Sequence, residues 1–196
     1  MKVLVAAVSY LLGSIPTGYL LVRMFAKKDV REFGSGSTGA TNVLRLKGWK
    51  VALPVAAVDI AKGFLPVVLA SRWFDDPIFA AGCGFLAVVG HCFPFSIGFR
   101  GGKGVATALG VFAAIAWIPC LACLAVFLIV IGLTRFVSLA SILASLAFPL
   151  IHLAAGGLPA EAAVALAIAA LIILRHGANI RRLLAGTERR LGGGSP

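Results

Sequence analysis

"VATALGVFAAIAWIPCLACLAVFLIVIGLT", residues 105–134, runs for thirty residues without a charge. A helix crossing the hydrocarbon core of a bilayer needs about 20 residues, with a working range of ~17–25. The run is therefore too long for a single crossing. Pro119, after Trp117 and Ile118, lacks a backbone donor and offers a natural break into two short helices. How this run divides sets the side of the membrane on which every later segment ends.

The other apolar runs lie at 3–22, 51–71, 78–97, 137–155 and 160–174. Dividing 105–134 brings the expectation to seven spans, and the basic residues test that choice. With seven, fifteen of the eighteen Lys and Arg share one side; Lys2 and Arg72 lie opposite and Lys62 falls inside a span. With six, Arg135 and the Arg-rich tail would move to the far face. The sequence thus predicts an all-α integral membrane protein, a seven-transmembrane-helix bundle. Its N-terminus lies outside and its C-terminus in the cytoplasm, with Asp75, Asp76 and Glu161 in outer loops.

Composition supports the bilayer as solvent. Mean hydropathy is +1.02. Charged residues make up 13% of the 196-residue chain, against roughly 25% in soluble domains. One membrane-embedded domain over 1–190 fits the length, and 191–196, ending in "GGGSP", reads as a flexible tail with the composition of a cloning linker. The first stretch, Lys2 to Arg23, reads as a retained span rather than a signal peptide. No small-residue cleavage site follows it, and its charges come after it. Cys120 and Cys123 form a C-x-x-C in apolar company with no His or carboxylate nearby, so they, like Cys83 and Cys92, read as packing thiols. No metal or cofactor is expected. The net charge of +11 belongs mostly to one membrane face and suits anionic lipid headgroups; nucleic acid is excluded, since no soluble basic domain presents itself. No internal repeat is visible.

Three polar stretches fall on the cytoplasmic side. "GSGSTGATNVLRLKG" (34–48) reads as an interhelical loop whose Gly residues admit a ligand and whose Ser35, Ser37, Thr38, Thr41 and Asn42 are short neutral donors. Arg45 adds a planar fork suited to phosphate. "FRGGKGVATALG" (99–110) places Gly101, Gly102, Lys103 and Gly104 where the fourth span begins. Amides at a helix start attract anions. The pattern is not a nucleotide-triphosphate loop, because Ile97 stands at its first Gly position and Gly104 follows the Lys. "RHGANIRRLLAGTE" (175–188) follows the last span, with His176, Asn179 and either Arg182 or Arg175 on roughly one helical face. It reads equally as an interfacial helix whose arginines meet headgroups. Glu188 reads as a local salt-bridge partner.

Three groups lie near or within spans. Asp59 and Lys62 sit about 12–16 Å into the second span. At that depth charge is a mark of function, though the pair equally neutralises itself. His91, in "GHCFPF", reads as either a hydrogen-bonded structural group or a ligand. Ser138 and Ser141 open the sixth span; serine there suits helix packing, and Ser141 joins the phosphate-binding candidates.

Taken together, "GSGSTGATNVLR", "DIAKG", "GHCFP…GGKGVATALG", "VSLAS" and "RHGANIRRLLAGTE" resemble the PlsY family, the bacterial membrane acyl-phosphate:glycerol-3-phosphate acyltransferases. The match runs in order from about residue 13 to 189. The resemblance implies a seven-helix bundle in the bacterial inner membrane, with its active site facing the cytoplasm. It also implies acyl transfer from an acyl phosphate to the 1-position of glycerol 3-phosphate, giving lysophosphatidic acid and inorganic phosphate. Ser35 and Arg45 match the family's first-motif polar pair, and Gly101, Gly102, Lys103 and Gly104 its phosphate loop. His176, Asn179 and Glu188 match its third motif. Ser37 stands where the family's motif has Asn. Ser35, Arg45, Lys103, His176 and Asn179 are therefore the catalytic candidates. Phosphate binding is assigned to Ser35, Ser37, Thr41, Asn42, Arg45, the 101–104 loop and Ser141, with Asp59, Lys62, His91 and Glu188 supporting.

The residues themselves agree with that chemistry. Two substrates each carry phosphate, and the chain offers anion-ready loops on one face beside a lipid flank. No H-x-x-x-x-D pair is present, and an acyl phosphate brings its own good leaving group. Positioning and charge stabilisation can then carry the reaction, with a substrate phosphate as proton acceptor. The expected unit is a monomer meeting membrane lipids. The alternative is a transporter of a phosphorylated metabolite, which would place its site near the midplane between repeats.

Overall fold

The computed structural model describes residues 1–192. Among them are ten α-helices and no strand: α1 (Lys2–Gly13), α2 (Thr17–Ala26), α3 (Ala40–Lys47), α4 (Trp49–Trp73), α5 (Pro77–Cys92), α6 (Val105–Ile115), α7 (Trp117–Thr134), α8 (Val137–Ala154), α9 (Pro159–Arg175) and α10 (Gly177–Leu184). Five segments are long and apolar enough to cross a bilayer: Lys2–Ala26 taken together, α4, Pro77–Ile97, α7 and α8. α9 becomes a sixth when joined to α10, from which it bends by 63°. α6 has eleven residues, which extend only about 16 Å against a hydrocarbon core of ~30 Å.

The thirty-residue run does divide, but at Ala116 rather than Pro119. Ala116 is extended (φ −155°, ψ 97°) and ends α6, whereas Pro119 is the third residue of α7. The first four N–H groups of a helix have no intrahelical acceptor, so a proline there removes nothing. The proline marks a helix start, and the break falls just upstream of it. Pro16 acts similarly between α1 and α2. The Ile15 carbonyl, released by that break, accepts a hydrogen bond from Lys62 Nζ at 2.9 Å.

α4 packs most extensively against α6, because glycine lets the two backbones meet. A Cβ at Gly63 would lie 2.0 Å from the Thr107 carbonyl oxygen, and one at Gly110 2.0 Å from that of Ile60. The main core joins α5, α6, α8 and α9 around fully buried Phe148, Ile168 and Ile172. Phe112 stacks on Phe148 with centroids 4.0 Å apart. A smaller core of Val22, Val30, Val43, Ala52 and Val55 seats α3 against α2 and α4.

That second core corrects the reading of 34–48 as a loop. Its second half is α3, eight residues long, with Val43 and Asn42 turned inward. Ala, Leu, Arg and Lys favour a helix there, and burial of Val43 holds it. The tail expectation falls partly on 193–196, which lie outside the described residues. Up to Leu191 the chain is tied down, since its amide donates to the Arg135 carbonyl at 2.7 Å.

Candidate active site

The first polar stretch is organised from within by Asn42. It is 2% exposed, and its Nδ2 donates to the carbonyls of Val30 (3.0 Å), Phe33 (3.0 Å) and Ser37 (2.9 Å). Its Oδ1 accepts from the Ser35 amide at 3.0 Å. Gly34 is left-handed (φ +60°), and a Cβ there would meet Asn42 Oδ1 at 2.2 Å. The assignment of Asn42 to phosphate is thus corrected: all its polar atoms are consumed in shaping the loop. Ser37 Oγ accepts from the Gly39 amide at 3.2 Å, just before α3. Ser37 and Asn42 line a cavity together with Ser35, Thr41 and Arg45, but only the side chains of the last three have no hydrogen-bond or ion-pair partner among the described residues. Burial, and then the nearby charge of Arg189, holds the Arg45 guanidinium below its usual pKa, with Glu188 acting the other way.

The second stretch also differs in detail from the sequence reading. The Gly101 and Gly102 amides donate to the Cys92 (3.2 Å) and His91 (3.0 Å) carbonyls. Their own carbonyls accept from Arg175 Nη2 (3.3 Å) and Nε (3.1 Å). Both residues are buried and neither lines the cavity. They position the loop rather than present amides to an anion, which corrects their assignment to phosphate binding. The reason they are glycines is steric: a Cβ at Gly101 would lie 2.2 Å from the His91 carbonyl oxygen, and one at Gly102 1.9 Å from His91 Nε2.

The open donors begin one residue later. Gly104, left-handed at φ +85°, turns the chain into α6, and its carbonyl accepts from the Ala108 amide at 2.7 Å. The amides of Gly104, Val105 and Ala106 have no acceptor among the described residues, and all three residues line the cavity. This is the helix start that suits an anion. Lys103 Nζ stands beside it and donates to Asn179 Oδ1 at 2.5 Å. Burial lowers the Lys103 pKa to about 8, against the pull of Glu188 and with the push of Arg182, Arg45 and Arg175.

The third stretch closes the site as a hydrogen-bonded chain. Asn179 Nδ2 donates to Glu188 Oε1 (2.6 Å), Ser138 Oγ donates to the same oxygen (2.9 Å), and Arg182 Nε donates to Oε2 (2.7 Å). These donors hold the Glu188 carboxyl below its usual pKa despite its burial. Glu188 is a salt-bridge partner as expected, and it also orients Asn179, which in turn meets Lys103. His176 marks the bend between α9 and α10. Its Nδ1 lies 2.8 Å from the Ile172 carbonyl; a carbonyl only accepts, so Nδ1 carries the proton and Nε2 the lone pair. Ser141 Oγ donates to the Val137 carbonyl at 2.8 Å, and only its lone pairs remain for a ligand.

Beneath the loops lie the buried charges. Lys62 Nζ is 2.8 Å from Asp59 Oδ1, and both side chains are almost fully buried. The approach lies outside hydrogen-bond directions, so Asp59 gains a counter-charge while both its oxygens lack a hydrogen bond. His91 Nδ1 stands 3.6 Å from the same oxygen. The pair neutralises itself, and His91 fills the slot that Gly102 leaves.

These parts enclose a cavity of about 290 Å³. Ser35, Arg45, Lys103, His176 and Asn179 form its polar end, and Leu109, Phe112, Leu124 and Phe127 its apolar extension. Over residues 3–186 the chain matches the family model described as Glycerol-3-phosphate acyltransferase. It is 46% identical over 191 residues to the glycerol-3-phosphate acyltransferase of Synechococcus sp. (strain CC9902), covering 97% of this chain and 96% of that one. The Geobacter sulfurreducens protein of the same name is 44% identical over 190 residues, with 96% and 97% covered. The chain belongs to the glycerol-3-phosphate acyltransferase family.

Solved structures agree. The crystal structure of PlsY (YgiH), an integral membrane glycerol 3-phosphate acyltransferase, in its glycerol 3-phosphate form superposes with a TM-score of 0.94 at 41% identity, covering 97% of this chain and 96% of that one. Its lysophosphatidic acid form gives 0.91, with 97% and 95% covered. This family member is accordingly an all-helical, multi-pass integral membrane protein. Two more residues assemble the site: Arg175, which the sequence offered only as an alternative to Arg182 on the third stretch's face, and Arg31, which sequence reasoning missed. Arg175 clamps the glycine loop, and Arg31 Nη1 donates to the Ile97 carbonyl at 2.9 Å, tying the first polar stretch to the second. Each sits beside a motif, but only the fold shows which carbonyl it reaches.

Proposed function

We propose that this family member transfers a fatty acyl group from an acyl phosphate to the 1-hydroxyl of glycerol 3-phosphate, releasing lysophosphatidic acid and inorganic phosphate. One observation carries the reading. The cavity joins cationic and amide donors that lack anionic partners, namely Arg45, Lys103 and the first amides of α6, to an apolar extension. Two phosphates and one acyl chain match that division.

In the proposed reaction Arg45 grips a phosphate bidentately, and Ser35 Oγ donates to the same group. Lys103 and the α6 amides hold the second phosphate. His176 Nε2, fixed as an acceptor by its Nδ1 contact, orients the attacking hydroxyl. The hydroxyl oxygen bonds to the acyl carbon, the carbon–oxygen bond to phosphate breaks, and the hydroxyl proton passes to a phosphate oxygen. Positioning and charge compensation supply the rate enhancement. The single chain supplies every group named, in keeping with a monomer.

The proposed topology has seven spans, with the N-terminus outside and the site facing the cytoplasm of a bacterial inner membrane. It rests on the polar stretches and most of the basic residues meeting at one end. Lys2 pairs with Asp76 (2.7 Å), and His152 with Glu161 (3.0 Å), in segments assigned to the outer end. α6 counts as one of the seven although short, because Trp117 begins α7 immediately after its break. A transporter would need polar groups open to both sides, and the cavity's free cations, Arg45 and Lys103, both come from the stretches assigned to one end, while Asp59, His91, Ser138, Ser141 and Ser145 add polar lining from the spans. The test is direct: purified protein with palmitoyl phosphate and labelled glycerol 3-phosphate should form lysophosphatidic acid, and palmitoyl-CoA should not replace the donor. Product from palmitoyl-CoA alone would overturn the donor assignment.

A further inference from the structure

Outside the site, a second hollow of about 370 Å³ opens at the end of α2, lined by Arg23, Lys27, Lys28 and Asp29. Its charge balance is unusual. Asp29, the acid in the group, is taken up by Arg31, with Nη2 to Oδ2 at 2.7 Å and Nε to Oδ1 at 3.0 Å. Among the described residues Arg23 meets the Tyr19 hydroxyl and ring and feels Asp29 at a distance, without an ion pair, and Lys28 lies over the Phe33 ring at 5.3 Å. None of Arg23, Lys27 and Lys28 has an acidic partner among the described residues.

The hollow also has a lipid-facing edge. α2 ends at Lys27, which is left-handed at φ 52°, so the chain turns there and carries Lys27 and Lys28 around the helix end. On the same last turns Leu20, Met24 and Phe25 are 49%, 63% and 64% exposed. Apolar side chains so exposed on a membrane segment face acyl chains, and the three cations stand where those chains reach their headgroups. Cations at that level attract anionic lipid. A hollow bounded by three of them suits one phosphate better than a diffuse ion atmosphere does.

We propose that Arg23, Lys27 and Lys28 form a binding site for the phosphate headgroup of an anionic bilayer lipid, separate from the acyl-transfer cavity. The lipid lies with its tails along Leu20, Met24 and Phe25 and its headgroup phosphate in the hollow. The site is independent of the reaction assigned above and would stand if that assignment failed.

Native mass spectrometry of the purified full chain, titrated with phosphatidylglycerol or phosphatidylcholine, tests it. The expected result is one tightly retained phosphatidylglycerol and no comparable phosphatidylcholine. The Arg23→Gln/Lys27→Gln/Lys28→Gln variant should weaken that retention by roughly one to two orders of magnitude, whereas Lys27→Arg/Lys28→Arg should preserve it. A control with the same charge loss elsewhere, Lys47→Gln/Lys50→Gln/Arg100→Gln, should keep the lipid. Equal loss in that control would show a diffuse charge effect and overturn the site, as would displacement of the lipid by an equal concentration of inorganic phosphate. A thermal melt in the same detergent reports that each variant is folded; a variant that has lost its cooperative transition is replaced by the single Lys27→Gln, whose unchanged lipid retention would overturn the site.

Discussion

Gly102→Ala should be harmful for a reason that His91 can remove. A Cβ at Gly102 would stand 1.9 Å from His91 Nε2, where ordinary contact begins at 3.4 Å, so the ring must retreat about 1.5 Å. It has little room, being 5% exposed and 3.6 Å from the Asp59 carboxylate. The backbone at Gly102 has no positive φ, so the added methyl meets sterics alone. Overpacking of this kind costs ~1–3 kcal/mol. Much of that strain passes to the loop, since the Gly102 amide and carbonyl fix the position of Lys103. We expect kcat/KM to fall roughly tenfold to a hundredfold. In a His91→Ala background, itself impaired because Asp59 loses a neighbour, the same methyl enters vacated space and should cost less than about threefold. The coupling energy would then be ~1 kcal/mol or more. Steady-state kinetics of the four proteins in matched detergent, with thermal melts alongside, measure it. If Gly102→Ala costs the same factor in both backgrounds, within about twofold, the glycine serves ligand approach and the steric reasoning fails.

Four further outcomes follow from the site. Arg45→Lys keeps the charge but loses the fork, so kcat/KM should fall by roughly one to two orders of magnitude; activity within about twofold of the parent would make Arg45 peripheral. Lys103 is protonated below its pKa of about 8, and a phosphate monoester is a dianion above pH ~6. Affinity for glycerol 3-phosphate should therefore decline as pH rises through that value, and Lys103→Arg, whatever its basal rate, should show no such alkaline decline. Glu188→Gln should reduce turnover with modest change in thermal stability, because the carboxylate orients Asn179 and Arg182; unchanged turnover would confine it to a packing role. Cysteine labelling should place positions 47 and 181 on the cytoplasmic face and position 75 on the other, and labelling of 47 and 181 from opposite sides would overturn the topology.

How far the sequence carried the structure depended on whether a feature is local. The apolar runs were legible because a bilayer imposes their length, and the division of 105–134 because no single crossing uses thirty residues. The break itself was displaced from Pro119 to Ala116, since proline is tolerated in a first helical turn and so marks a boundary only approximately. α3 went unread: eight residues flanked by Gly39 and Gly48 resemble a loop until Val43 finds Val22 and Val55 across the fold. Residue type alone made Asn42, Gly101 and Gly102 look like phosphate ligands. Deciding otherwise required knowing that their polar atoms reach the carbonyls of Val30, His91 and Cys92, which no spacing rule encodes.

The same distinction explains which polar groups stay free. Burying a donor without a partner is costly, and this fold pairs Asn42, Lys62, Glu188 and both loop glycines with nearby protein atoms. Among the described residues, Arg45 and the first amides of α6 remain unpaired at the cavity wall, and Lys103 meets only the neutral oxygen of Asn179. An internal carboxylate on each cation would raise stability and compete with a phosphate for the same donors. Glu188 stands close enough to influence both Arg45 and Lys103, yet Ser138, Asn179 and Arg182 occupy its oxygens. Freeing it would turn a supporting carboxylate into a competitor. Ser138→Ala removes one of the two donors to Oε1 without touching the cavity's cations, so it should raise KM for glycerol 3-phosphate severalfold while leaving kcat within about twofold. Unchanged KM in a folded Ser138→Ala protein would show that Glu188 is restrained by Asn179 and Arg182 alone.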